Sequence, residues 1–272
     1  MKKNDHFQEL TPDEKLRADN ELLKLKLQTE FGMSEINLPL SDDMENQFLN
    51  NIYEFEKQYT LNKQIKLYDF IGKPEFKKAE MLTSKEISSE LERLQDIMAS
   101  HNVNLGTICD YEDEVIYRFI TEELFEQEID DIRIPTMTLC FTYEEIHPNH
   151  DYDIRSHSHG FIKALITRKW NAFIDETALC KKVSYNGKLF TKENFSKIIE
   201  EFQSEHPKMT HLKWKGNSVK FDLKKKTASL EGTIKYKSVR TGKIFEGEVF
   251  LTLKLEWDYW SISKVVLPGF SK

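Results

Sequence analysis

Between Val219 and Leu267 apolar and polar residues alternate through consecutive strand-length runs, a period of two that suits a half-buried β-strand and no helix. In the longest run Phe245, Gly247, Val249, Leu251, Leu253, Leu255 and Trp257 fall on every second position, while Glu246, Glu248, Thr252, Lys254 and Glu256 fill the other face. Val219, Phe221 and Leu223 form a similar core-facing row, as do Leu230, Gly232, Ile234 and Tyr236. In the last strand Trp260, Ile262 and Val266 continue it, with Lys264 as the exception. The chain is thus expected to end in a curved antiparallel sheet with one apolar face. That face holds so few acids, bases or nucleophiles that it reads as a dry, filled core.

Upstream, the period changes to that of helices. Thr11, Pro12 and Glu14 make a capping box with proline at the first helical position, and Leu16, Leu22, Leu23, Leu27 and Phe31 continue at helical spacing to Gly32. Ser41 starts a second helix with Asp42 and Asp43 in its first turn and an apolar stripe of Phe48, Leu49, Ile52, Phe55 and Tyr59. The segment 61–81 reads as a short strand or irregular connection packing through Ile65, Leu67, Phe70 and Ile71. Thr83 to Glu86 is a second capping box, Asp110 is expected to cap a helix over 111–127, and 137–143 has strand composition. From Asp151, with Asp151 or Asp153 as cap, a long helix is predicted through Ile154, Phe161, Ile162, Leu165, Ile166, Trp170 and Phe173. A short strand (179–185), the turn Asn186-Gly187 and a helix capped by Thr191 follow.

This order, with Val183 to Phe195 as short strand, glycine turn and helix start and Trp257 to Ile262 as closing turn and strand, resembles the nuclear-transport-factor-2-like superfamily. The resemblance covers about residues 151–270. It implies an α+β, cone-shaped domain whose bent sheet wraps its helices around an interior pocket, in a superfamily that includes dehydratases, isomerases, cyclases and non-catalytic binding or dimerising domains. The expected organisation is an acidic, mainly helical region over 1–150 packed on this domain over 151–272.

Charge divides at the same place. Residues 1–150 hold 16 Lys and Arg against 32 Asp and Glu, net −16; residues 151–272 hold 23 against 14, net +9. Such halves attract each other or take oppositely charged partners. At 272 residues and 39% hydrophobic the chain can bury a sizeable core. No signal-peptide pattern or membrane-length apolar run is present, and Cys109, Cys140 and Cys180 are scattered without a CxxC, so a cytoplasmic protein with reduced thiols and no membrane partner is expected.

Chemistry in such a pocket needs ionisable groups among apolar walls. The candidates are His157 on the long helix, Asp175 near its end and Tyr185 on the short strand, with Phe161, Leu165, Trp170, Tyr236, Leu253, Trp260 and Lys264 lining the pocket. Each candidate also has a structural explanation: a carbonyl-bonded histidine, a solvated acid and a half-buried tyrosine. His147, His150, His157 and His159 suggest a metal, but His157 and His159 point apart on a helix, so neither a metal site nor a cofactor is expected. Lysines between Lys213 and Lys243 surround Trp214 and Tyr236, which would suit nucleic acid, yet no binding motif accompanies them and nucleic acid is not expected.

The function expected first is therefore a non-enzymatic binding or protein-interaction module, self-associating through the outer sheet face near Phe250. A dehydratase- or isomerase-like enzyme acting on a small molecule in the pocket is the alternative. A third is an immunity or partner-neutralising protein using the acidic N-terminal surface.

Overall fold

A computed structural model describes residues 10–34, 39–61, 63–134, 137–170 and 178–271. The chain divides into two compact units, Met1–His147 and Pro148–Lys272.

In the N-terminal unit α1 (Pro12–Phe31) carries the capping box: Thr11 Oγ1 accepts from the Glu14 amide, and the Glu14 carboxylate accepts from the Thr11 amide. Gly32 ends it in the left-handed conformation that terminating helices favour. Alongside lies α2 (Asp42–Thr60), running in the same direction, since Arg17 meets Asp42, Asn20 meets Asn46 and Glu30 meets Tyr53. The inward face of α1 is centred on Asn20 and Leu27; Leu22, expected in the stripe, is exposed because it lies on the opposite side of the helix.

The remaining elements of this unit close a separate core. They are β1 (Gln64–Lys66), α3 (Leu67–Phe70), α4 (Ser84–Ser100), β2 (Val103–Gly106), α5 (Asp113–Arg118), β3 (Glu128–Asp130), β4 (Leu139–Thr142) and α6 (Tyr143–Ile146). β1 pairs antiparallel with β3, and β2 parallel with β4. Ile87, Leu91, Leu94 and Met98 of α4 pack on Leu67, Tyr117, Phe119 and Phe125. The helix predicted over 111–127 is not uniform: after Arg118 it passes through a π-helical turn, Phe119–Glu123, and a 3-10 turn, Leu124–Glu126. Its N-cap is Glu112, not Asp110.

The C-terminal unit is α+β. It contains α7 (His150–Thr167), β5 (Leu179–Tyr185), β6 (Lys188–Thr191), α8 (Lys192–Glu205), β7 (Met209–Asp222), β8 (Thr227–Ser238), β9 (Ile244–Glu256) and β10 (Tyr259–Val266). The six-stranded sheet has the order β6-β5-β10-β9-β8-β7, antiparallel except where β5 meets β10. The curved sheet and the order of helix, short hairpin, helix and four-stranded meander are those that the resemblance implied. Asn149, rather than Asp151 or Asp153, caps α7 by accepting from the Tyr152 amide. The helix ends at Thr167, before Trp170, and Phe173 lies outside the described residues.

Alternation holds along β8 and most of β9 but fails at three places. A register shift between Ile262 and Lys264 reverses the parity of β10, so Val265 and Leu267 face the core while Lys264 and Val266 face outwards. Lys264 therefore lines no pocket, and its ammonium lies 5.5 Å from the ring centre of Phe250. Phe221 and Leu223 are exposed at the end of β7, an edge strand with two register shifts of its own. Trp257, expected in the core row, stands on the β9–β10 turn in the left-handed region (φ 58°) and is exposed.

Candidate functional site

The interior of the C-terminal unit holds most of the expected pocket residues but does not assemble the expected acid–base set. Phe161, Leu165, Trp170, Tyr236, Leu253 and Trp260 are all buried in one apolar cluster. His157 is half-buried, with Nε2 3.3 Å from the Ala178 carbonyl just before β5. Tyr185, at the other end of β5, donates its hydroxyl to the Phe270 carbonyl. The length of that strand, roughly 20 Å at 3.3 Å per residue, separates the two. Asp175 lies outside the described residues. Tyr236 likewise donates to the Pro268 carbonyl (2.6 Å), and burial pushes both phenols above their ordinary pKa. Beside Tyr185 an open groove of ≈780 Å³ runs past Phe190, Phe202 and Phe270, with Lys188, Glu201 and Glu205 at its edges.

The histidines go to separate places. His147 Nε2 lies 2.8 Å from the Glu123 carboxylate, and His150 Nδ1 accepts from the Trp260 indole at 3.3 Å. Among the described residues no group of three or more His, Cys, Asp or Glu side chains could hold a metal ion.

The lysine-rich face is partly neutralised across strands. Lys235 pairs in register with Glu246, and their side chains form an ion pair. Tyr236 is buried and belongs to the core, not to this surface, because it points to the other side of β8 from Lys235 and Lys237. Trp214 lies over Gly232, where a Cβ would stand 2.5 Å from the indole ring and 2.6 Å from the Lys215 carbonyl.

In the N-terminal unit Glu144 accepts from the amides of Ile108 and Cys109, both at 2.8 Å. Burial works against its ionisation, but these N–H groups prevail and hold its pKa below the ordinary carboxylate value.

The feature of this unit that the sequence did not reveal is the outward side of α2. Met44, Phe48, Ile52, Phe55 and Tyr59, spaced by four, four, three and four residues, share one helix face. Met44, Phe48 and Tyr59 are 58, 42 and 53% exposed, Ile52 and Phe55 are half-buried, and Phe55 stacks on Tyr59 with ring centres 5.9 Å apart. Only Leu49 of the predicted stripe is buried. Asp42, Asp43, Glu45, Glu54 and Glu56 make the helix acidic, with Lys57 its one base. The signal available in the sequence was the width of the apolar arc, which Leu49 alone would suffice to close on α1. A polar clasp holds that closure: Asn20 Nδ2 donates to the Asp42 carbonyl (2.9 Å) and Glu45 (3.2 Å), Asn46 Nδ2 donates to Asn20 Oδ1 (2.8 Å), and Lys24 reaches Glu45 at 3.0 Å.

No family model matches the sequence, and no curated protein matches it either. Among solved structures, partial likeness is found to Kfla4162 protein from Kribbella flavida (10% identity, TM-score 0.36, 45% of this chain and 92% of that one). An NTF-2 like protein of unknown function from Shewanella oneidensis MR-1 is similar at 16% identity and TM-score 0.32, over 42% of this chain and 95% of that one. Rd1NTF2_04 with long sheet is similar at 12% identity and TM-score 0.29, over 41% and 95%. At these identities and TM-scores the likenesses are partial and carry no argument about what the chain does.

Proposed function

We propose that this protein is a non-catalytic interaction module that docks a partner protein on the outward face of α2. The observation that supports the reading is the apolar stripe from Met44 to Tyr59, of which Met44, Phe48 and Tyr59 are exposed and Ile52 and Phe55 half-buried. Its 3–4 spacing suits a helix laid alongside, and its acidic flanks favour a partner whose apolar side chains are bordered by Lys or Arg. A partner-neutralising role is the form of this reading in which the partner is a basic protein. A cytoplasmic setting agrees with cysteines that form no disulfide among the described residues.

The test compares wild type with a Phe48→Ser/Tyr59→Ser variant as bait in the native host, with captured proteins identified by mass spectrometry. The variant keeps the wild-type melting temperature and loses a partner that wild type retains. Capture of the same partners by both proteins refutes the reading.

A second copy is a further candidate partner, supported by the exposed Val266 beside Phe250 on the outer sheet face; light scattering showing only monomer at high concentration counts against it. A small-molecule activity is supported by the groove beside Tyr185, whose lining includes Glu201 and Glu205.

A further inference from the structure

One end of the C-terminal sheet presents exposed apolar side chains, of which Phe221 also meets His150 and Trp260 edge-on with ring centres 5.8 and 6.4 Å away. The β7–β8 turn (223–226) and the β9–β10 turn (257–258) are neighbours, since Thr227 pairs with Lys254 and the Leu255 amide donates to the Lys226 carbonyl at 3.0 Å. Phe221, Leu223 and Tyr259 are exposed there, and Trp257 is 90% exposed. Trp257 also has a positive φ, a conformation in which Asn or Gly is ordinary and a bulky residue unfavourable. Neither packing nor turn chemistry accounts for a tryptophan at this position.

Around these side chains stand Lys220, Lys224, Lys225, Lys226 and Lys254, all exposed, against Asp222, Glu256 and Asp258. Asp222 is already engaged, accepting from the Lys225 amide (3.0 Å) and lying 3.3 Å from its ammonium. The edge is therefore cationic as well as apolar.

We infer that this edge docks on an anionic lipid surface. Tryptophan and tyrosine combine an apolar ring with a polar tip and settle at the level of lipid headgroups, Phe221 and Leu223 add purely apolar contact, and the lysines supply attraction to anionic headgroups. The contact is peripheral: no helix among the described residues is long and apolar enough to cross a membrane. A single-stranded nucleic acid is the less suitable occupant. It calls for a groove that tracks successive phosphates past stacking platforms, whereas these aromatics sit on a turn and at two strand ends with Glu256 and Asp258 beside them.

The full-length chain is titrated with vesicles of phosphatidylcholine, with vesicles that also contain phosphatidylserine, and with a single-stranded oligodeoxynucleotide. Binding is read by co-sedimentation and by the blue shift of tryptophan emission, to which exposed Trp257 contributes while Trp170 and Trp260 are already buried. Expected is binding to the phosphatidylserine vesicles that weakens with added salt. It falls by roughly tenfold or more in Lys220→Glu/Lys224→Glu. Trp257→Asn, chosen because asparagine accepts the positive φ, weakens binding and abolishes the blue shift at an unchanged melting temperature. The inference is overturned by failure to bind the phosphatidylserine vesicles, by equal binding to neutral ones, by tighter binding to the oligonucleotide, or by undiminished binding of Trp257→Asn.

Discussion

Replacing Asn20 with alanine tests the claim that α1 and α2 are held by their polar seam and not by the apolar residues left exposed. Asn20 is only 1% exposed, and its amide makes all three of its bonds to α2: to the Asp42 carbonyl, the Glu45 carboxylate and the Asn46 amide. A neutral hydrogen bond contributes about 1 kcal/mol net and one to a charged group about 1.5–3. Against the loss stands a helix-propensity gain of a few tenths of a kcal/mol for alanine over asparagine. The expected cost is about 3 kcal/mol. Leu22→Ser, on the opposite side of α1, should change stability by no more than about 0.5 kcal/mol, as surface substitutions do. Native-state hydrogen exchange of the α1 and α2 amides is the suitable assay, because it reads the opening of this helix pair apart from the rest of the chain. If Asn20→Ala cost under about 1 kcal/mol, or Leu22→Ser cost as much as Asn20→Ala, the seam would not be what joins the helices. The fully buried Leu27 and Leu49 would then be what joins them.

Three further outcomes follow from contacts described above. Gly232→Ala places a methyl group against the Trp214 ring and a backbone carbonyl that cannot move cheaply, so a loss of about 1–3 kcal/mol is expected in urea denaturation, with an altered near-ultraviolet signal from Trp214. Glu144 has a folded pKa below its ordinary 4.5, so its contribution to stability is present above that value and lost as pH falls through the folded one. Glu144→Gln should therefore lower the urea midpoint at neutral pH and flatten its fall on acidification; an unchanged acid slope would show that Glu144 does not carry it. Burial pushes the Cys180 thiol up to about 12, so at pH 8 it stays protonated and resists iodoacetamide while exposed Cys140 reacts. Equal alkylation of the two, followed by peptide mapping, would contradict the placement of Cys180.

Local signals were the legible ones. Thr11, Thr83 and Thr191 cap helices at the predicted residues because a cap depends on the hydroxyl and the three amides that follow it. Asn186 and Gly187 turn β5 into β6 through two positive φ values that these residues accept readily. The misreadings share a different origin. The parity of β10 changes where it pairs with β9 on one side and β5 on the other, a demand that no pattern within the strand records. The helix after Asp113 takes a π-helical turn where Thr121 bonds back to the Tyr117 carbonyl, inside a core assembled from distant segments. Candidate-site residues suffered most. His157 and Tyr185 stood out as ionisable groups beside apolar ones, but the carbonyls that receive them lie 21 and 85 positions along the chain.

The parallel contact between β5 and β10 has a consequence for the order in which the C-terminal unit forms. Leu179 meets Ile262 and Tyr185 meets Val265, and the Cys180 thiol reaches a carbonyl 81 residues away. Every other strand pair in this sheet joins sequence neighbours and can zip from its own turn. An isolated β5–β6 hairpin, in contrast, is marginal in water and must await a strand at the far end of the unit. This single non-local closure is the slow step expected of the unit. Until it occurs, the edge of β5 carries unpaired amides and carbonyls in a chain whose meander is otherwise ready to fold, and that interval is when two nascent copies are most prone to join edge to edge.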